Sequence, residues 1–247
     1  MRIYGLIPGL LFAAACFAGS LLPVIAIAEP LVLATTASMP LGMGDGKIGF
    51  VPEVAKSVFK RIGLEAEFEW LPGERALLTA NAGIDDGELI RVSGLEKIYT
   101  NLIRVPEPMV TMDFAGFTLG KPFPVDGWDS LKPYDVGIIS GWKIYEKNIV
   151  GVRQLTDVRN IDVLFKLMAN GRTDIAMATR WMGQYTMKKL GLSAKILEPP
   201  FAQREMFMYL HRKHADLVPK FNKALVEFKR DGSYQRLYHT VLDPYTQ

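Results

Sequence analysis

Residues 82–92 read AGIDDGELIRV, with Asp85, Asp86 and Glu88 around Gly87 and Arg91 closing a short apolar run. Carboxylates act as acid and base only when their surroundings split their pKa values and a substrate lies between them. Asp85 and Asp86 are adjacent, so on a strand they face opposite sides. A calcium loop requires the spacing D-x-[DN]-x-[DN]-G, which is absent. His211 and His214 in HRKH lie three apart in a charged setting, which reads as a solvated helical face. His239 stands alone, and neither G-x-S-x-G nor a P-loop occurs. No catalytic residue, metal site or cofactor is therefore expected. Arg91 has two readings. It could pair with Glu88 or Glu96 at the surface, or hold a ligand carboxylate through two parallel hydrogen bonds. Leu89 and Ile90 beside it read as buried, which favours a strand end at a pocket.

The elements that must carry these residues follow an α/β rhythm. LVLATTA (31–37) is an apolar, β-branched strand running into a loop. In DGKIGFVPEVAKSVFKRIG (45–63), Phe50, Val54, Val58, Phe59 and Ile62 share one helical face, and Gly63 is a stop. LEAEFEW alternates as a half-buried strand does, and Pro72-Gly73 opens a helix ending at Gly83. The first hundred residues thus read β-α-β-α-β, the pattern of a mostly parallel sheet covered by helices. The middle repeats it: strands at 113–120, 133–142 and 173–179, and helices at 160–171 and from Thr179 on. Asn160 is an expected N-cap. HADLVPKFNKALVEFKRDG and SYQRLYHTVL, residues 214–242, read as helix. Two such units without a long linker predict two lobes.

Composition sets the class. The chain has 247 residues, 29 basic and 26 acidic, and a formal net charge of +3. Nothing here supplies the clustered basic face of a nucleic-acid binder. Residues 1–28 carry Arg2, then an apolar run ending in Ala26-Ile27-Ala28, and predict a cleaved secretory signal peptide rather than a retained anchor. Cleavage would remove Cys16, the only cysteine, leaving no disulfide and no thiolate. No later run is long enough to span a membrane.

Five stretches, in order, resemble the bacterial periplasmic solute-binding proteins of family 3, the polar amino-acid type of ABC transporters. They are DGKIGFVPEVAKSVFKRIGLEAEF, WLPGERALLTANAGIDDG, VGIISGW, LFKLMANGRTDIAMAT and HADLVPKFNKALVEFKRDGSYQRLY. The resemblance implies a two-lobed α/β fold of type II, with two mostly parallel sheets, flanking helices and a ligand cleft at the hinge. It implies a first lobe made of 29–115 and 203–247 and a second of 116–202, joined by FAGFTL and QREMFMYL. It further implies a monomer in the periplasm that binds a small polar or carboxylate ligand and presents it to an inner-membrane ABC permease or a sensor. Alternatives are an exported dehydratase acting on cyclohexadienyl acids such as prephenate or arogenate, with Glu88 as the carboxylate, and a periplasmic sensor partner.

In such a fold the ligand meets the carboxyl ends of the strands and nearby helix N-termini. Four places follow. Ser38 and Met39 lie in the loop after the first strand, and Glu88 and Arg91 at a strand end. Gly141 and Trp142 form a glycine turn whose free N–H groups suit an anion. Thr179 and Arg180 follow a buried strand. The resembling family carries an aspartate near Thr179 and an arginine near Glu96-Lys97 for the ligand's ammonium and carboxylate, and this chain lacks both. Arg91 and Arg180 together favour an anionic ligand if both face the cleft. Arg75 reads as structural, tying a helix start to a strand end.

Overall fold

The computed structural model describes residues 29–44 and 46–245. The expected signal peptide, residues 1–28, lies outside the described residues. Strand β1 (Leu31–Thr35) leads into a small hairpin, β2 (Met43–Gly44) and β3 (Lys47–Ile48), and then helix α1 (Phe50–Arg61). Next come β4 (Ala66–Trp70), α2 (Gly73–Ala82), β5 (Gly87–Arg91), β6 (Leu102–Arg104) and the long β7 (Val110–Thr118). The middle of the chain adds β8 (Asp135–Ile139), α3 (Lys143–Asn148), β9 (Gln154–Val158), α4 (Ile161–Ala169), β10 (Ile175–Thr179), α5 (Arg180–Leu190) and β11 (Lys195–Ile196). The chain returns through β12 (Ala202–His211) to α6 (Leu217–Arg230) and α7 (Ser233–Val241).

These elements form where the local chemistry directs. Phe50, Val51, Val54, Ala55, Val58 and Phe59 are fully buried on one face of α1. Each large side chain taken out of water there contributes about 2 kcal/mol. Helix α2 ends at Gly83, whose φ of +75° is the left-handed conformation only glycine takes without steric cost. Asn160 caps α4, its side chain accepting from the N–H groups of Asp162 and Val163.

The strand order is β4-β1-β5-β12-β7-β10-β8-β9. Strands β4, β1 and β5 run parallel in one half. Strands β10, β8 and β9 run parallel in the other. Between them β12 and β7 pair antiparallel, and each also pairs antiparallel with the bundle beside it. The expected two sheets are therefore joined edge to edge by a two-stranded ribbon. The sequence reading missed β9, whose polar QLTDV covers an edge and has one neighbour. It also missed the β2–β3 hairpin and β6.

Register fixes what this ribbon does. Arg91, at the carboxyl end of β5, stands opposite Phe207. Thr179, at the carboxyl end of β10, pairs with Phe114, which pairs with Ala202. The two parallel bundles thus point their carboxyl ends at each other along the ribbon. They are five residues of β12 apart, about 17 Å at the rise of an extended strand. In that interval Gln203, Arg204 and Glu205 are exposed.

Candidate functional site

The gap between the bundles is a cleft with β1, β4 and β5 ending on one wall and β8, β9 and β10 on the other. On the first wall, Thr35 and Trp70 are register partners at the ends of β1 and β4. Trp70 is 50% exposed although it ends a strand. With Ser38, Met43, Gly44, Gly46, Lys47 and Ile48 it lines a depression of about 460 Å³. That is a volume suited to a small molecule. Ser38 bridges to Met43, and Met39 packs over Gly44, so the loop after β1 and the hairpin form one wall. Trp70 was not among the expected contacts. Its signal was present: an aromatic closing an alternating strand just before Pro72.

Arg91 ends β5 and is ion-paired through its Nε with Glu88, the second residue of the same strand. Strict alternation would point residues three apart to opposite faces. The register is irregular here: β5 advances three residues, Glu88 to Arg91, while β12 advances two, Tyr209 to Phe207. The extra residue is a β-bulge, and it brings both side chains to one face. Arg91 also donates through Nη2 to the carbonyl of Gly73 at 2.6 Å. Arg91 thus ties the start of α2 to the end of β5, while the charge of Arg75 acts on Glu69 near the end of β4. Glu88 is 0% exposed, and its Oε1 has no hydrogen-bond partner among the described residues. Burial lifts its carboxyl to about 7, against the opposing pull of the Arg91 charge.

The rest of AGIDDGELIRV is structural. Asp86 accepts from Val32 N–H at 2.8 Å and meets His214 Nε2 and Lys213 Nζ, each at 2.7 Å. These bonds hold its carboxyl below the usual range against the effect of burial. Asp85 accepts from the Thr79 hydroxyl. HRKH is thus a clasp on the amino end of β5, away from the cleft, and His214 is half-buried where a solvated helical face was expected. Among the described residues no group of three or more His, Cys, Asp or Glu could hold a metal ion.

On the second wall the expected anion contacts already have partners within the chain. Gly141 N–H donates to Glu146 Oε1 at 2.6 Å, so this nest holds the protein's own carboxylate. Trp142 stacks on Tyr145, with centroids 5.6 Å apart and rings 10° from parallel, and meets Phe114 edge-on. Thr179 is 2% exposed, and its hydroxyl has no partner among the described residues. Arg180 donates to Asp113 at 2.8 Å and to both oxygens of Glu198 at 2.6 and 3.0 Å. Its guanidinium is held charged by these acids. The anionic-ligand argument took Arg91 and Arg180 as facing the cleft, and in the structure each is ion-paired with acids of the chain itself.

Near Glu96, Tyr209 donates its hydroxyl to the carboxylate at 2.8 Å and to the carbonyl of Val92 at 2.9 Å. Lys97 is exposed.

The ligand-binding core of GluR0 in complex with L-glutamate superposes with a TM-score of 0.75 at 13% identity, covering 87% of this chain and 99% of that one. A histidine kinase sensor domain with similarity to periplasmic binding proteins gives 0.70 at 17% identity, covering 87% and 96%. The chain has the two-lobed fold of the periplasmic binding proteins. Within that binding-protein fold, sequence similarity is also present. The L-cystine-binding protein TcyJ of Escherichia coli strain K12 is 24% identical over 200 residues, 78% of this chain and 74% of that protein. No protein-family model matches the chain. No described helix is long and apolar enough to cross a membrane.

Proposed function

We propose that this protein binds a small, amino-acid-like polar solute in the periplasm and delivers it to an inner-membrane ABC transporter by closing its two lobes. The first lobe is residues 29–115 with 203–247, and the second 116–202. The observation that carries the reading is the facing of the two parallel bundles across a two-stranded ribbon. The carboxyl ends of the strands meet there, with the half-exposed Trp70 over the depression on the first wall and the partly exposed Trp142 on the second. Similarity to an L-cystine-binding protein and to a core that holds L-glutamate supports an amino-acid-like ligand. Ser38, Trp70, Trp142 and Thr179 are proposed contacts. Arg91 contributes through whatever part of its guanidinium Glu88 and Gly73 leave open; it is 18% exposed.

A thermal-shift screen of the purified protein with L-cystine, L-glutamate, other amino acids, dicarboxylates, oligopeptides and polyamines tests this. A ligand that binds only the native state raises the melting temperature, by about 2.7 kcal/mol of added stability at a hundredfold excess over Kd. No shift with any of these classes would sink the reading.

Two alternatives have specific support. A kinase sensor domain shares the fold, so a pull-down with the closed, liganded form should recover a permease if the role is transport and a receptor if it is sensing. Glu88, with its carboxyl near 7, has the acidity of a general acid. It is, however, completely buried, so a substrate would have to displace the strand end to reach it. Turnover of prephenate or arogenate would establish the enzyme reading.

A further inference from the structure

Behind the cleft, the first turn of α5 joins three parts of the chain. Arg180 reaches Asp113 on β7 and Glu198 in the segment before β12. Asp113 also accepts from Gln203 Nε2 at 2.8 Å, and these two are register partners across the ribbon. The guanidinium is thereby fixed to both ribbon strands where they cross the gap.

Trp181, the next residue, is buried and packs edge-on against Tyr238 of α7, centroids 5.5 Å apart. Tyr238 also packs edge-on against Phe50 of α1 at 5.8 Å. One ring therefore touches α1 of the first bundle and α5 of the second. Further along α5, Tyr185 meets Tyr245 at 5.1 Å, and Lys188 donates to the carbonyl of Pro244 at 2.8 Å while lying over the Tyr245 ring. Trp181, Tyr185 and Lys188 stand at i, i+4 and i+7, one face of the helix. That face is covered by residues 238–245, the last turn of α7 and the short turn after it, and α7 packs on α1 of the first bundle.

We propose that residues 238–245 form a strap across the back of the hinge which, with Arg180 as its positioning residue at the ribbon, sets the angle between the two lobes. Rotation about the 111–113 and 203–205 segments moves α5 relative to α1. Both helices contact the same strap, so the rotation has to slide or break these contacts. Arg180 is in this account a hinge residue rather than a ligand contact. The inference rests on the ribbon acting as a hinge, as the proposed function requires.

The test needs no ligand. In the full chain with Cys16→Ser, spin labels at Lys47→Cys and Lys143→Cys report the distance across the mouth of the cleft by pulsed electron paramagnetic resonance. The parent should give one narrow distribution. Lys188→Ala with Tyr245→Ala should broaden it and shift its mean, with cooperative melting retained, because both side chains are peripheral. Arg180→Lys, which keeps the charge but loses the two-pronged contact with Glu198, should broaden it further. An unchanged distribution in both variants overturns the strap. L-cystine and L-glutamate shifts are scored on the full chain without labels, because Lys47 lines the candidate site. An intact ligand response beside unchanged distances therefore sinks the strap alone, and a missing response counts against the proposed function.

Discussion

Glu88 makes a prediction that can be worked from the structure. It is fully buried, its Oε1 has no hydrogen-bond partner among the described residues, and its charged form is opposed by desolvation more strongly than Arg91 supports it. Its carboxyl therefore rises from 4.5 to about 7 in the folded protein. A raised carboxyl means that between these two values the native state holds a proton the unfolded chain has released. Stability then falls as pH rises through that window and levels off above it. The full loss is about 3 kcal/mol, most of it between pH 5 and pH 8. Glu88→Gln keeps the size and polarity of the side chain and cannot ionise. Urea unfolding of both proteins at pH 5, 6, 7 and 8 should show the parent losing about 2–3 kcal/mol relative to the variant, with other titrations cancelling in the difference. Two curves that stay parallel within about 0.5 kcal/mol would refute the claim that burial outweighs the ion pair.

Arg91→Ala leaves Glu88 buried without its cation and should cost about 3–5 kcal/mol in urea unfolding at pH 8. Much of that should return in the double variant with Glu88→Gln, and full additivity of the two changes would dismiss the pairing. Gly183 lies against the Phe117 ring, where an added Cβ would come within 2.0 Å of it. Gly183→Ala should therefore destabilise by about 1–3 kcal/mol or more, read as a lower melting temperature. Trp70→Ala removes a half-exposed side chain and should move stability by less than about 1 kcal/mol, while removing most of the ligand-induced thermal shift. An undiminished shift would take Trp70 out of the site.

Much of the fold was legible because it is written in local patterns. The apolar face of α1, the Gly83 stop and the Asn160 cap each follow from a few neighbouring residues and hold in the structure. The β-α-β rhythm likewise names parallel bundles before any coordinates. Strand β9 was not legible, since a polar edge strand forms only because β8 offers it a ladder. The site was legible as a set of places more than as a set of roles. Residue type and spacing brought Glu88, Arg91, Gly141 and Arg180 to attention as charge or anion sites. They could not show that Glu88 is buried against Arg91, that Glu146 fills the Gly141 nest, or that Asp113 and Glu198 hold Arg180.

By itself, the sequence determined the helices and the main strands, their order and the absence of a thiol beyond residue 28, because periodicity, caps and composition are local properties. Only the tertiary structure decided which charges meet. The bulge in β5 that puts Glu88 beside Arg91 exists through pairing with β12, more than a hundred residues away. Arg180 meets Asp113 across 67 positions for a similar reason. Ion pairs depend on distance in space and on burial, and neither is encoded within a window of neighbouring residues.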